Sequence, residues 1–196
     1  MIKKASLEDE LFLVLLLKGE VLKYSKEIQT MIANHYNVYE DGTYPELHIT
    51  IDRIKKQSLE SSTELIEEVL AHLSIEKIEI ELDKFVCYRG YEDNFLALKI
   101  KETPSLLELT NSLHNSLVDE GISVIENYDD WQFHITILSN VFASNPITDH
   151  NFDSLCFFLE GKEKDYKSYS DRLEIWSPTM DPTKKCLASF QLGNHF

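Results

Sequence analysis

Two histidines in this chain are each followed, two residues later, by a threonine. They sit in identical tetrapeptides: His48-Ile-Thr50-Ile within YPELHITIDRI, and His134-Ile-Thr136-Ile within DDWQFHITILSN. Histidine titrates near neutral pH, so one imidazole can take up a proton while another releases one. A threonine hydroxyl donates a hydrogen bond to a phosphate oxygen without adding charge. Two such pairs flanking a phosphodiester would activate a nucleophile on one side and protonate the leaving oxygen on the other. Each transfer of this kind contributes about 10²–10⁴-fold. Four matching letters are weak by themselves in a strand-rich chain, so the surroundings of each copy decide.

The elements around the two copies repeat. LFLVLLLK reads as a buried strand, and GEVLKYSKEIQTMIANHY as a helix with Val21, Leu22, Ile28, Met31 and Ile32 near helical spacing. A turn region with Asp41-Gly42 leads to the first HITI strand, roughly Glu46 to Ile54. Ser61 and Glu64 fit a capping box for the helix that follows. IEKIEIELDKFVCY and NFLALKI then read as a hairpin across RGYED. Thr103-Pro104 starts a helix that stops at Gly121, and the second HITI strand runs roughly from Gln132 to Ser139. A helix or turn in ITDHNFDSLCFFLEG and two strands, SDRLEIWS and KCLASFQL, close the chain. The two motifs, 86 residues apart, thus occupy equivalent slots. The expected fold class is α+β, with two pseudo-symmetric lobes. Each lobe would be a mostly antiparallel sheet with helices on its outer face, and a cleft would lie between them.

Strand alternation assigns faces. His48 and Thr50 share one, Leu47, Ile49 and Ile51 the other; His134 and Thr136 share one, Phe133, Ile135 and Ile137 the other. By the same rule Arg53 faces away from His48, while Glu46 and Asp52 stand on the His48 side, where they would discourage a highly anionic substrate.

With 196 residues, 43% hydrophobic and 27% charged, residues 1–196 suit a single bilobal domain. A formal net charge of -15 and no dense basic stripe argue against long duplex nucleic acid, whose binding draws on Lys and Arg neutralising phosphates. A small nucleotide or short oligonucleotide held in a local pocket stays compatible with that charge. The apolar run Leu11–Leu17 is too short for a bilayer, so no membrane association is expected. Cys87, Cys156 and Cys186 are odd in number, far apart and outside any CxxC pattern. This spacing argues against a disulfide framework and for a reducing, cytoplasmic setting.

HxT twice, each on a strand in a repeated α+β unit, resembles the two-histidine (2H) phosphoesterase superfamily, which includes 2′-5′ RNA ligase-like proteins and cyclic nucleotide phosphodiesterases. The resemblance spans essentially the whole chain. It implies that His48 and His134 are the acid/base pair, that Thr50 and Thr136 bind phosphate, and that no metal or other cofactor takes part. It also implies substrates with 2′,3′-cyclic phosphates or 2′-5′ linkages, in hydrolysis or RNA processing. Where bacterial members often carry a basic residue shortly after the second motif, this chain has Leu138-Ser139-Asn140.

Other readings compete. Tyr44, Tyr88, Trp131 and Trp176 would suit a base-stacking wall, but each would serve equally as a packing aromatic. A metal site would need a third ligand such as Glu46 or Asp52. The same fold could hold a nucleotide without turning it over, or act on cyclic or 2′-5′ oligonucleotide signals. His35, His72, His114, His150 and His195 show no comparable pairing.

Overall fold

β-Branched and leucine-rich runs become strands and the 3.6-period segments become helices. The computed structural model describes residues 5–40, 43–89 and 94–193. In chain order the elements are β1 (Glu10–Leu16), α1 (Gly19–Tyr36), β2 (His48–Lys55), α2 (Leu59–His72), β3 (Ile78–Tyr88), β4 (Phe95–Ile100) and α3 (Pro104–Asp119). They continue with β5 (His134–Ser139), α4 (Asp149–Leu159), β6 (Lys167–Ser170), β7 (Arg172–Trp176), α5 (Pro182–Lys185) and β8 (Cys186–Gln191). The Asp41-Gly42 turn, the tip of the β3–β4 connection and His195 lie outside the described residues.

The eight strands form one curled antiparallel sheet in the order β6-β3-β4-β5-β2-β1-β7-β8. It divides at its centre into two four-strand halves, each contributing one motif strand. β2 and β5 meet at the seam, where Ile49 pairs with Ile135. The halves are not contiguous in sequence. β3 and β6 complete the half that contains β4 and β5, while β7 and β8 return to complete the half that contains β1 and β2. The helices cross over as well: α1 packs on β5 and β6, and α3 packs on β2 and β3.

Leu13, Leu15, Ile49, Ile135 and Ile137 are fully buried on the helix-covered face. Each such side chain contributes about 1.5–3 kcal/mol through burial. Thr103 caps α3 as expected, accepting from the Leu106 amide, and Gly121 takes a positive φ of 65° just beyond its end. The α2 capping box does not form. The helix begins earlier, at Leu59, so the Ser61 hydroxyl donates instead to the Ser58 carbonyl. On α1 the buried stripe includes Tyr24, Ser25, Gln29 and Ile32, leaving Met31 exposed. Gln29 Nε2 donates to the Pro45 carbonyl (3.0 Å), which ties α1 to the approach of β2.

Both motif strands carry a β-bulge at the same offset from the histidine. In β2 the register against β1 shifts between Thr50 and Asp52, leaving Ile51 as the extra residue. In β5 the register against β4 shifts between Thr136 and Leu138, leaving Ile137 extra. A bulge reverses alternation beyond it. The strict two-residue rule therefore fails for Asp52 and Arg53: Asp52 is turned to the buried side and Arg53 to the His48 side.

Asp52, 1% exposed, is fully engaged there. It accepts from His114 Nδ1 (2.7 Å), from the Ser123 hydroxyl (2.8 Å) and from the Arg53 amide (2.7 Å). His114 stacks on Tyr128, whose hydroxyl donates to the Ile51 carbonyl (2.8 Å), and Trp131 Nε1 donates to the Thr50 carbonyl (3.2 Å). The bulge is thus held by α3 through the Asp52 side chain and by the segment following α3 through the Thr50 and Ile51 carbonyls.

The cysteine expectation is corrected. Cys87, at the end of β3, is bonded to Cys156 on α4, with Cα atoms 6.2 Å apart, and the exposed Cys186 stays free. The pairing is a tertiary contact between residues 69 apart, which local spacing does not encode. Among the described residues, no helix is long and apolar enough to cross a membrane.

Asp52→Ala strands His114 and Ser123 beside a vacated buried position. Breaking a buried charged hydrogen-bonded group in this way costs about 3 kcal/mol. A urea midpoint within error of the parent's would contradict the role given to this cluster.

Candidate functional site

Antiparallel pairing of Ile49 with Ile135 sets His48 opposite Thr136 and Thr50 opposite His134. Directly opposed side chains on adjacent strands have Cβ atoms about 5 Å apart, and diagonal ones about 7–8 Å. The imidazoles therefore stand diagonally across the seam, each opposite a threonine hydroxyl. All four side chains line a single cavity of about 300 Å³ on the uncovered face of the sheet.

Each imidazole is held the same way. His48 Nδ1 donates to the Glu46 carbonyl (2.8 Å) and His134 Nδ1 donates to the Gln132 carbonyl (2.7 Å). A carbonyl only accepts, so Nδ1 carries the proton and Nε2 is the nitrogen left for proton exchange. In both cases the acceptor lies two residues upstream, so the repeat extends from side-chain types to tautomers.

Burial lowers the His48 pKa from 6.5 to about 4, assisted by the nearby Lys185 cation and by His134, and opposed by the Glu46 carbonyl and carboxylate. Burial also lowers His134, against the pull of the Gln132 carbonyl. Both rings are therefore neutral at pH 7. A phosphate anion placed between them favours the charged imidazole and raises the pKa of whichever ring it touches.

The cations at this face were missed by alternation. Arg53 lines the cavity through the bulge; its guanidinium lies 5.8 Å from the Trp131 ring and pairs with Glu10 (3.3 Å). The equivalent position after the second motif is Ser139, also a lining residue, so one half presents a cation and the other a hydroxyl. Lys185 arrives from α5, far away in sequence, with its ammonium over the Trp176 ring and 3.1 Å from Glu46. Of the two acids expected to repel an anion, Asp52 faces away and Glu46 is paired with Lys185. The -15 surface charge therefore does not describe the cavity. Arg53 was within reach of sequence reasoning, since both candidates sit five residues after a histidine; nothing local marks Lys185.

The aromatic candidates separate. Trp131 and Trp176 line the cavity, and Trp176 meets the His48 ring edge-on at 4.7 Å between centroids. Tyr44 does not reach the cavity. Its hydroxyl donates to Asn34 Oδ1 (2.6 Å) and its ring meets Tyr39, which does line the cavity. Tyr88 stacks on Phe95 and donates to the Gln132 side chain (3.0 Å), with its ring centroid 5.8 Å from that of His134. It buttresses His134 from behind and is not a lining residue.

Depressed histidine pKa values have a defined consequence for folding. Between pH 6.5 and about 4 the unfolded chain protonates His48 and the folded chain resists, and His134 is shifted in the same direction. The His48 contribution is complete above pH 6.5 and is lost as pH falls through that window. His48→Gln removes the His48 share. Chemical denaturation across this pH range should therefore give a shallower loss in the variant than in the parent. Equal slopes would show that the His48 ring is not desolvated.

Comparisons with known proteins bear on the fold and the family. TT0787 of Thermus thermophilus superposes with a TM-score of 0.62 at 16% identity, covering 93% of this chain and 97% of that one. Kluyveromyces marxianus Usb1 gives 0.57 at 13% identity, covering 94% and 97%. Escherichia coli LigT, in its complex with 3′-AMP, gives 0.55 at 15% identity, covering 94% and 98%. At such identities the likeness is one of fold. No curated protein matches by sequence. Residues 24–146, well over half of the chain, match the family described as the 2′-5′ RNA ligase superfamily. The chain belongs to that superfamily, and with it to the two-histidine phosphoesterases that its paired motifs resemble.

Proposed function

We propose that this protein is a metal-independent phosphodiesterase that opens 2′,3′-cyclic phosphates or cleaves 2′-5′ linkages in small nucleotides and short RNA-derived oligonucleotides. One observation carries the reading. Two HxT pairs face one cavity with both Nδ1 atoms tied to backbone, which leaves both Nε2 atoms for proton exchange at a single site. In the reaction one Nε2 removes a proton from the attacking water as its oxygen bonds to phosphorus. The other imidazole, protonated in the presence of the phosphate anion, gives its proton to the leaving ribose oxygen. Thr50 and Thr136 donate to the non-bridging oxygens and hold the phosphorus in line. Trp131 and Trp176 offer apolar faces for a base.

The ligands of one structural relative agree with this substrate size, since LigT has been solved with 3′-AMP, NADP+ and ATP. Residues 1–196 act in this reading as a single bilobal domain, because the cavity draws side chains from both ends of the chain. A cytoplasmic setting goes with a nucleotide substrate, and the Cys87–Cys156 bond calls for one that is not strongly reducing.

Turnover of 2′,3′-cyclic nucleotides in EDTA tests the assignment. His48→Ala and His134→Ala should each lower kcat by about 10²–10⁴-fold. Thr50→Val and Thr136→Val should lower kcat/KM with folding intact. Retained activity in both histidine variants would refute it. Tight nucleotide binding with no product from the parent would establish a binding module instead. Parallel assays on 2′-5′ and 3′-5′ dinucleotides separate a general cyclic-phosphate enzyme from one directed at 2′-5′ signals.

A further inference from the structure

The cavity holds two cations of different standing. Arg53 and its partner Glu10 are both nearly sealed, with side chains 5% and 10% exposed. Lys185 is equally sealed at 11%, but its partner Glu46 is 55% exposed. Glu10 cannot leave Arg53 without stranding a buried charge. Glu46 can turn out into water at little cost, as exposed pair partners do. Apart from the histidines, Glu46, Arg53 and Lys185 are the charged side chains among the described residues lining the cavity. With Glu10 behind Arg53 and both imidazoles neutral, the resting site carries no net charge.

Lys185 is fixed in place. Its ammonium lies 4.8 Å from the centre of the Trp176 ring, and Trp176 itself rests against His48. The residue lies beyond 24–146, so it belongs to a part of this chain outside the family match. Its position brings a cation to the His48 end of the site, held in balance by one movable carboxylate.

We propose that Lys185 is the phosphate-binding cation of this site and that Glu46 is its exchangeable counterion. A substrate carrying one negative charge displaces Glu46 from Lys185, and the return of Glu46 expels a product carrying two. The inference rests on the phosphodiesterase reading and deepens it to the charge of the substrate. Hydrolysis of a cyclic diester forms one P–O bond to water and breaks one to the ribose oxygen. The proton taken from water goes to that oxygen through the two imidazoles. The diester is a monoanion. The monoester it becomes loses a further proton with a pKa near 6 and is close to dianionic at pH 7. One freed ammonium balances the first charge; the second charge stands beside the returning Glu46 carboxylate.

Calorimetric titration with 2′-AMP and 3′-AMP, which are product-like dianions, tests this without requiring turnover. Glu46→Gln should tighten their binding by about tenfold or more, the scale of one charge-assisted hydrogen bond. Lys185→Met should weaken it by about the same factor. In the double variant the glutamine should bring no tightening over Lys185→Met alone. Lys185→Arg, which keeps the charge, covers the case in which Lys185→Met does not fold, and it should bind like the parent. Unchanged or weaker binding in Glu46→Gln overturns the proposal, as does the absence of monoester binding in the parent and all variants. Tightening without any hydrolysis of cyclic substrate would leave the exchange standing and remove the enzymatic reading. Hydrolysis with an unaltered Kd would do the reverse.

Discussion

Ile49 and Ile135 meet across the seam between the two half-sheets, and both are fully buried beneath the helices. Their pairing sets the diagonal placement of the histidines and the crosswise placement of the threonines. A slip of one residue at this seam would carry every polar side chain of one motif into the core and every isoleucine out of it. The burial of Ile49, Ile51, Ile135 and Ile137 therefore enforces the register on which the cavity depends. The isoleucines of the repeated tetrapeptide are inert in chemistry, yet they hold the chemistry in place.

Much of this was readable beforehand because it depends on local rules. The strands, the long helices, the Thr103 cap and the faces taken by His48, Thr50, His134 and Thr136 follow from periodicity and capping. The failures begin at the bulges. An unpaired residue in a strand has no signature in composition, so strict alternation puts Asp52 and Arg53 on the wrong sides of β2. Lys185 and the Cys87–Cys156 bond were illegible for a different reason. Both are meetings of distant segments, and no spacing rule carries that information. Tyr44 and Tyr88 show the limit of residue type: an aromatic near a motif in sequence can stand behind it in space.

The charge of the cavity differs in kind from the charge of the chain. Acidic residues dominate the surface, yet the site balances two cations against two carboxylates with neutral imidazoles between them. Net charge governs long-range encounter with polyanions. Local pairing governs which small anion is held once inside. A strongly acidic protein can therefore exclude long nucleic acid and still accept a single phosphodiester.

The exchange of strands between the halves bears on how the molecule is made. β1, at residues 10–16, keeps an open edge until β7 at 172–176 is available to cover it. A chain emerging from the ribosome exposes that leucine-rich edge while everything between β1 and β7 is being made. Pairings so distant in sequence slow folding, because loop closure precedes the contacts that reward it. The nascent protein is thus most vulnerable to aggregation along β1, and β7 is the cover that ends that exposure.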